Sequence, residues 1–171
     1  MANALLFELV VILVSIILYY CLKKIGYKNV GKRFIFLFIG IFLFEIMAEP
    51  MWINKGLDSW AYVYGNVSWI LTLGWLDIFL VSMLIVDKLC NKTAEKVKFW
   101  WYLVVVTIIT TPIESWLLNS GLRAYDSALT TTFSGILIPL TSVPIEIMLA
   151  VPIIAALVIP FYKVSIEGYG K

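Results

Sequence analysis

Six carboxylates lie in apolar stretches of this chain where acids are rare: Glu8, Glu45, Glu49, Asp77, Glu114 and Glu146. No lysine or arginine lies within those stretches to pair with them. An acid inside a bilayer costs ~2.5–3.5 kcal/mol on the insertion scale, so each is a functional candidate. Grouped carboxyls in a low-dielectric site cannot all ionise, because desolvation and mutual repulsion favour the neutral acid. A neutral carboxylic acid facing an apolar cavity can protonate an alkene. A neighbouring carboxylate can stabilise the resulting cation or take a proton back. Aromatic faces add cation stabilisation, with Phe38, Phe42, Phe44, Trp75 and Phe79 as candidates, although such rings also pack helix bundles. Glu45, one helical turn before Glu49 on the same face, joins Trp75, Phe79 and Trp116 as a candidate for contact with a substrate.

The elements that must position these acids are membrane helices. Of the 171 residues, 62% are hydrophobic and 14% charged, with a mean hydropathy of +0.97. A soluble domain of this size has no core large enough for so much apolar surface, and disorder is excluded on the same ground. Five apolar segments of membrane-spanning length are read at 4–22, 34–52, 67–86, 99–118 and 135–162. The first has no basic leader region and is read as a mature helix rather than a signal peptide. The fifth is overlong and contains Pro139, Pro144, Pro152 and Pro160, so its start near 130–139 is expected to be interfacial or re-entrant and its helix kinked. The fold expected is an all-α integral membrane protein, one membrane domain over 1–171 with five transmembrane helices.

Charge sorts sharply between the two sides. Eleven of the 13 basic residues fall between segments one and two, between three and four, or after five; only Lys55 and Arg123 fall elsewhere. The positive-inside rule then places the N-terminus outside and the C-terminus in the cytoplasm, as in a prokaryotic plasma membrane. With a net charge of +2, nothing points to nucleic acid as a partner. There is no histidine, and Cys21 and Cys90 form no metal or redox motif, so no metal site and no cofactor are expected. Most tryptophans, including Trp52, Trp60, Trp100 and Trp101, cluster at the segment ends as interfacial anchors. On this orientation Glu49 and Glu114 close the outer ends of spans two and four. Asp77 lies ten residues into span three, ~15 Å deep at 1.5 Å per residue, with Glu146 at a similar depth in span five.

An internal repeat organises the acids further. Glu49, Asn54, Gly56, Leu57 and Trp60 align with Glu114, Asn119, Gly121, Leu122 and Tyr125; Leu71, Thr72, Asp77 and Ile78 align with Leu140, Thr141, Glu146 and Ile147. Residues 34–60 with 67–86 form one two-helix unit and 99–125 with 135–162 a second. The first helix stands outside this parallel tandem repeat. The Asn-x-Gly-Leu element has a structural explanation in helix termination by a left-handed glycine.

The run Pro112, Glu114, Trp116, Gly121, Tyr125, followed by Thr141, Pro144, Glu146 and Pro152, resembles the membrane lycopene cyclase domain of carotenoid biosynthesis. In that family an acid-and-tryptophan helix end precedes a Gly-x-aromatic turn, and a later span carries a Pro-Leu/Ile-Glu-Glu motif. The resemblance implies acid-catalysed cyclisation of an isoprenoid end group without net redox change. It implies an apolar isoprenoid or carotenoid substrate taken from membrane lipid, and small units acting singly or as a homo- or heterodimer. Glu146 matches the first acid of the motif and Glu114 the acid of the preceding span. Ile147 replaces the second acid, and Trp75-Leu76-Asp77 replaces Pro-Ile-Glu in the first unit. On this reading Glu146 and Asp77 are the proton donor and cation-stabilising partner, with Glu114 and Glu49 in support. Two other readings stay open: a small proton- or cation-coupled transporter using the same acids, and a non-catalytic lipid- or carotenoid-binding module or accessory subunit.

The orientation is directly testable, because Cys21 and Cys90 both fall on the lysine-rich side. A membrane-impermeant maleimide should leave intact cells unlabelled and label Cys90 in inverted vesicles; labelling from outside would reverse the topology.

Overall fold

The computed structural model describes residues 2–168. Lys171, one of the basic residues that set the expected orientation, lies outside the described residues. Among the described residues there are six α-helices: α1 (Ala2–Lys24), α2 (Val30–Ala48), α3 (Trp69–Leu89), α4 (Glu95–Asn119), the single-turn α5 (Ser127–Thr130) and α6 (Ile145–Gly168). All but α5 are long and apolar enough to cross a membrane. Short polar links join α1 to α2 and α3 to α4 on the basic face. Two long connections, 49–68 and 120–144, cover the opposite end, here termed the loop face.

Helix α3 is the hub. It packs against α1, α2 and α4, and α6 closes the bundle against α2 and α4. Its apolar residues point all round the helix axis, the pattern of a helix buried on every side. In its most apolar stretch 61% of residues are buried, against 17% in α1, most of whose surface the bundle leaves uncovered. Helix α1 is attached by one stripe, Ala4, Glu8, Val11, Ser15 and Leu22, at the helical spacing that makes a single face. Two hydrogen bonds to carboxylates fix it: the Asp58 N–H donates to Glu8 (2.7 Å) and the Ser15 hydroxyl donates to Asp77 (2.6 Å).

The loop face is built on β-structure. Strand β1 (Trp52–Asn54) pairs antiparallel with β4 (Arg123–Tyr125), so Trp52 faces Tyr125 and Asn54 faces Arg123. This two-stranded ribbon ties the two long connections together. A second small ribbon, β2 (Tyr62–Tyr64) with β3 (Val67–Ser68), leads into α3, where Ser68 caps the helix by accepting the Leu71 N–H.

The boundaries of the spans shift accordingly. Span two ends at Ala48, before Glu49 starts a 3-10 turn. Residues 135–144, expected within span five, are not helical; they form a turn closed by a bridge between Leu137 and Pro144. Pro139 and Pro144 lack the N–H a helix interior requires, so α6 starts at Ile145, and it then runs as one helix through Pro152 and Pro160. Glu146 therefore stands in the first turn of α6 rather than near its middle.

The aligned stretches behave alike at the glycines and differently before them. Gly56 and Gly121 both have positive φ (+79° and +73°). Leu57 and Leu122 are buried in one cluster, and the Lys55 N–H donates to the Leu122 carbonyl. Trp52–Asn54 is a strand, however, whereas the matching residues Leu117–Asn119 end α4.

Helices α2 and α6 meet closely at Gly40, where a Cβ would stand 2.8 Å from Cδ1 of Phe161. Gly40→Leu should destabilise the bundle by about 1–3 kcal/mol through overpacking. An unchanged thermal midpoint in detergent would refute that close approach.

Candidate functional site

The acids divide into two kinds, paired and unpaired. Glu114, near the end of α4, accepts a hydrogen bond from Arg123 in a buried ion pair (2.8 Å) and another from the Tyr125 hydroxyl (2.9 Å). Arg123 is 3% exposed; its Nε donates to Asn54 Oδ1 (3.0 Å) and its guanidinium lies 5.5 Å from the centre of the Trp52 ring. The amide of Asn54 donates in turn to the Asn66 carbonyl (2.6 Å), and the backbone and side-chain amides of Asn66 both donate to Glu49 (3.1 and 3.0 Å). One polar chain thus runs from α4 through the β1–β4 ribbon to the end of α2. Burial and the adjacent Glu114 carboxylate hold the Tyr125 phenol well above its ordinary range, so it stays a hydrogen-bond donor.

Asp77 has no cation beside it among the described residues. The ninth residue of α3, it is about 12 Å along the helix at 1.5 Å per residue. One carboxyl oxygen accepts the Ser15 hydroxyl; the other is buried without a hydrogen-bond partner. It lines a cavity of about 230 Å³ between α1, α3 and α4. Phe7, Val10 and Val14 of α1 face Ile113 and Leu117 of α4 across that space, with Trp75 and Asp77 on α3. The polar groups in the lining are few: Asp77, Thr110, Glu114 and Arg123. The Thr110 hydroxyl, like the free Asp77 oxygen, is buried and unpartnered. A second cavity of about 480 Å³ shares Phe7 and Val10 with the first and continues to Trp116 and Leu122 at the loop face. Phe7 and Trp116 touch at the junction, their ring centres 5.4 Å apart.

The structure thus brings Asp77, Glu114 and Trp75 to one cavity and sets Trp116 at its neighbour. It leaves Glu49 and Glu146 outside. Both stand at helix ends, where a carboxylate meets unsatisfied loop N–H groups rather than the bundle interior. Glu49 is held by Asn66, and Glu146 accepts the Ser134 N–H (2.7 Å). The expected convergence of Glu49, Asp77, Glu114 and Glu146 on one cavity is therefore corrected to Asp77 and Glu114. Glu45 is buried, accepts a hydrogen bond from Thr72, and lines a small void beside Trp75, Phe79 and Trp52. Phe79 is wholly buried there and does not reach the main cavity. Glu8, which lies under Asp58, also keeps one buried oxygen unpartnered.

Arg123, Ser15 and Thr110 were not identifiable as site residues from the sequence. Arg123 carried one signal. In a chain that collects its cations on one face, Arg123 and Lys55 are the exceptions, and an exception invites a specific partner.

Fold and site together define a bundle of five helices long and apolar enough to cross a membrane, with a partly polar cavity that opens beside α1. No protein-family model, curated protein or solved structure matches the chain.

Removing one partner of a buried ion pair leaves an uncompensated charge and costs about 3–5 kcal/mol. Arg123→Gln should therefore lower the thermal midpoint sharply, and Arg123→Gln with Glu114→Gln should recover part of the loss. Equal stability of the single variant and the unmodified chain would show that the pair holds nothing together.

Proposed function

We propose that the chain is an integral-membrane isoprenoid cyclase that protonates a terminal alkene with Asp77. The observation that carries this reading is Asp77 on the wall of a largely apolar cavity, with one carboxyl oxygen buried and unpartnered. Glu114 is committed to Arg123, whereas Asp77 has only the Ser15 hydroxyl, so Asp77 is the acid able to exchange a proton. The resemblance of the 112–152 region to membrane lycopene cyclases supports the same chemistry.

The step is balanced without a redox partner. The Asp77 O–H protonates the terminal alkene, leaving a tertiary cation. The next double bond closes on that cation and forms the ring. A proton then leaves the carbon next to the new cationic centre and returns to the carboxylate. Trp75 supplies an aromatic face to the cation, and the Glu114 carboxylate adds negative potential from the cavity end. At about 230 Å³ the cavity is smaller than the ~300 Å³ of an ordinary ligand pocket. It accommodates the reacting end of a chain, while the remainder follows the groove along Phe7, Val10 and Trp116 or lies in lipid. Glu146, the acid that best matches the family motif, serves on this reading as a clasp for the Ser134 loop. The parallel repeat is part of the same proposal, and the shared Gly-Leu turns support it.

Expression in a lycopene-accumulating bacterium, with chromatography of the pigments, tests the reading. A cyclised product is expected, falling at least ~100-fold in Asp77→Asn, the scale of a lost general acid, while Glu146→Gln stays within a few-fold. Unchanged lycopene with folded protein in the membrane would overturn lycopene as the substrate. Full activity of folded Asp77→Asn would overturn the acid.

A further inference from the structure

A second site lies at the other end of α3, on the basic face. There a cavity of about 400 Å³ has an apolar floor that includes Leu80, Met83 and Leu84. Its walls carry Arg33 from α2, Lys98 from α4 and Lys163 from α6. From these features we infer that it binds a phosphate group, of the kind borne by the head of a membrane amphiphile.

Two of the three acids of the cavity are already engaged. Asp87 accepts the Tyr102 hydroxyl (2.5 Å), and Glu95 is shared by Lys98 (2.8 Å) and Lys163 (2.7 Å). Glu167 stands exposed at the rim. The cations have donors to spare. An ammonium offers three N–H donors, and the described hydrogen bonds take one from each lysine. Arg33 donates to the Lys28 carbonyl (3.0 Å) and the Tyr162 hydroxyl (2.7 Å), which leaves part of its five-donor fork unused. Lys163 is also set 4.7 Å above the centre of the Tyr102 ring, which fixes its position in the wall. The three cations reach the cavity from three different helices, so one anion entering it would meet spare donors of all three. A phosphate presents oxygens to several donors at once, and guanidinium groups bind it bidentately.

The surroundings agree. Among the described residues the basic face carries ten of the twelve lysines and arginines but only three of the eleven acids, Asp87, Glu95 and Glu167. Such a field draws anionic headgroups to the face. A polar rim above an apolar floor suits a phosphate whose hydrocarbon continues downward. Free phosphate would use the same donors without the floor.

The test is calorimetric titration of the purified chain, in uncharged detergent, with dihexanoylphosphatidylglycerol and with inorganic phosphate. Saturable lipid binding is expected, weakened at least tenfold in Arg33→Gln and in Lys163→Gln. Glu95→Gln removes the carboxylate that competes for both lysines, so it should tighten binding at least threefold. A residue with a merely structural role would not do so. Lys23→Gln with Lys24→Gln, on the same face but outside the cavity, should stay within twofold. If inorganic phosphate displaces the lipid at equal concentration, the site is established as one for free phosphate. If it does so only in large excess, the site is established as one for a lipid head. Absence of saturable binding, weakening by Glu95→Gln, or equal weakening by the Lys23/Lys24 pair would each overturn the inference.

Discussion

The Arg123–Glu114 pair is the interaction on which the loop face depends. Two ions leave water only where their mutual attraction and further hydrogen bonds replace the lost solvation. Here Tyr125 and Asn54 complete the shell, and the Trp52 ring flanks the guanidinium. Because Arg123 lies in β4 and Asn54 in β1, satisfying the ion also sets the register of the ribbon. The ribbon joins the two long connections, 49–68 and 120–144, so it holds the ends of α2 and α4 in place. Glu114 is thus tied to architecture as much as to chemistry.

With that end fixed, the bundle's asymmetry follows from α3. A helix buried on all sides needs neighbours all round, and α2, α4 and α6 make a continuous core with it. Helix α1 is attached by a single stripe and two hydrogen bonds. Both α1 and α4 lean on α3, and the wedge between them is where the cavity opens. One of α1's two attachments is Ser15 to Asp77, so the same carboxyl that faces the cavity also holds one of its walls. A change at Asp77 alters both the acid and the seating of α1. A folded, inserted protein is therefore the necessary control for any loss of function.

Much of the fold was legible in the sequence because membrane segments obey a coarse rule of length and hydropathy. The five spans, the basic face and the special glycines Gly56 and Gly121 all follow from local properties of the chain. The errors fell where a run of apolar residues has no fixed secondary structure. Residues 135–144 are apolar enough for a helix, but their prolines deny it, and Glu146 moved from mid-span to a helix start. The pairing of acids was not legible at all. Arg123 is nine residues from Glu114, beyond any helical spacing that marks an ion pair, and a reversal of the chain brings them together. Ser15 reaches Asp77 across 62 residues, and no local pattern announces that contact.

The six acids of the apolar stretches looked equivalent because composition records only that an acid is present. Their environments separate them by the kind of partner each receives and by what lies beside it. Glu49 and Glu146 take loop N–H groups, as carboxylates at helix ends do. Glu114 takes an arginine and a phenol. Glu45 takes Thr72, and Glu8 the Asp58 N–H. Asp77 takes one serine, keeps its other oxygen buried without a partner, and stands on the wall of a largely apolar cavity. A stable core has no use for such an atom, since an apolar side chain of the same size would cost less. Glu8 and Glu146 each bury an unpartnered oxygen as well, so what sets Asp77 apart is its place on the wall of a cavity, which those two acids do not line.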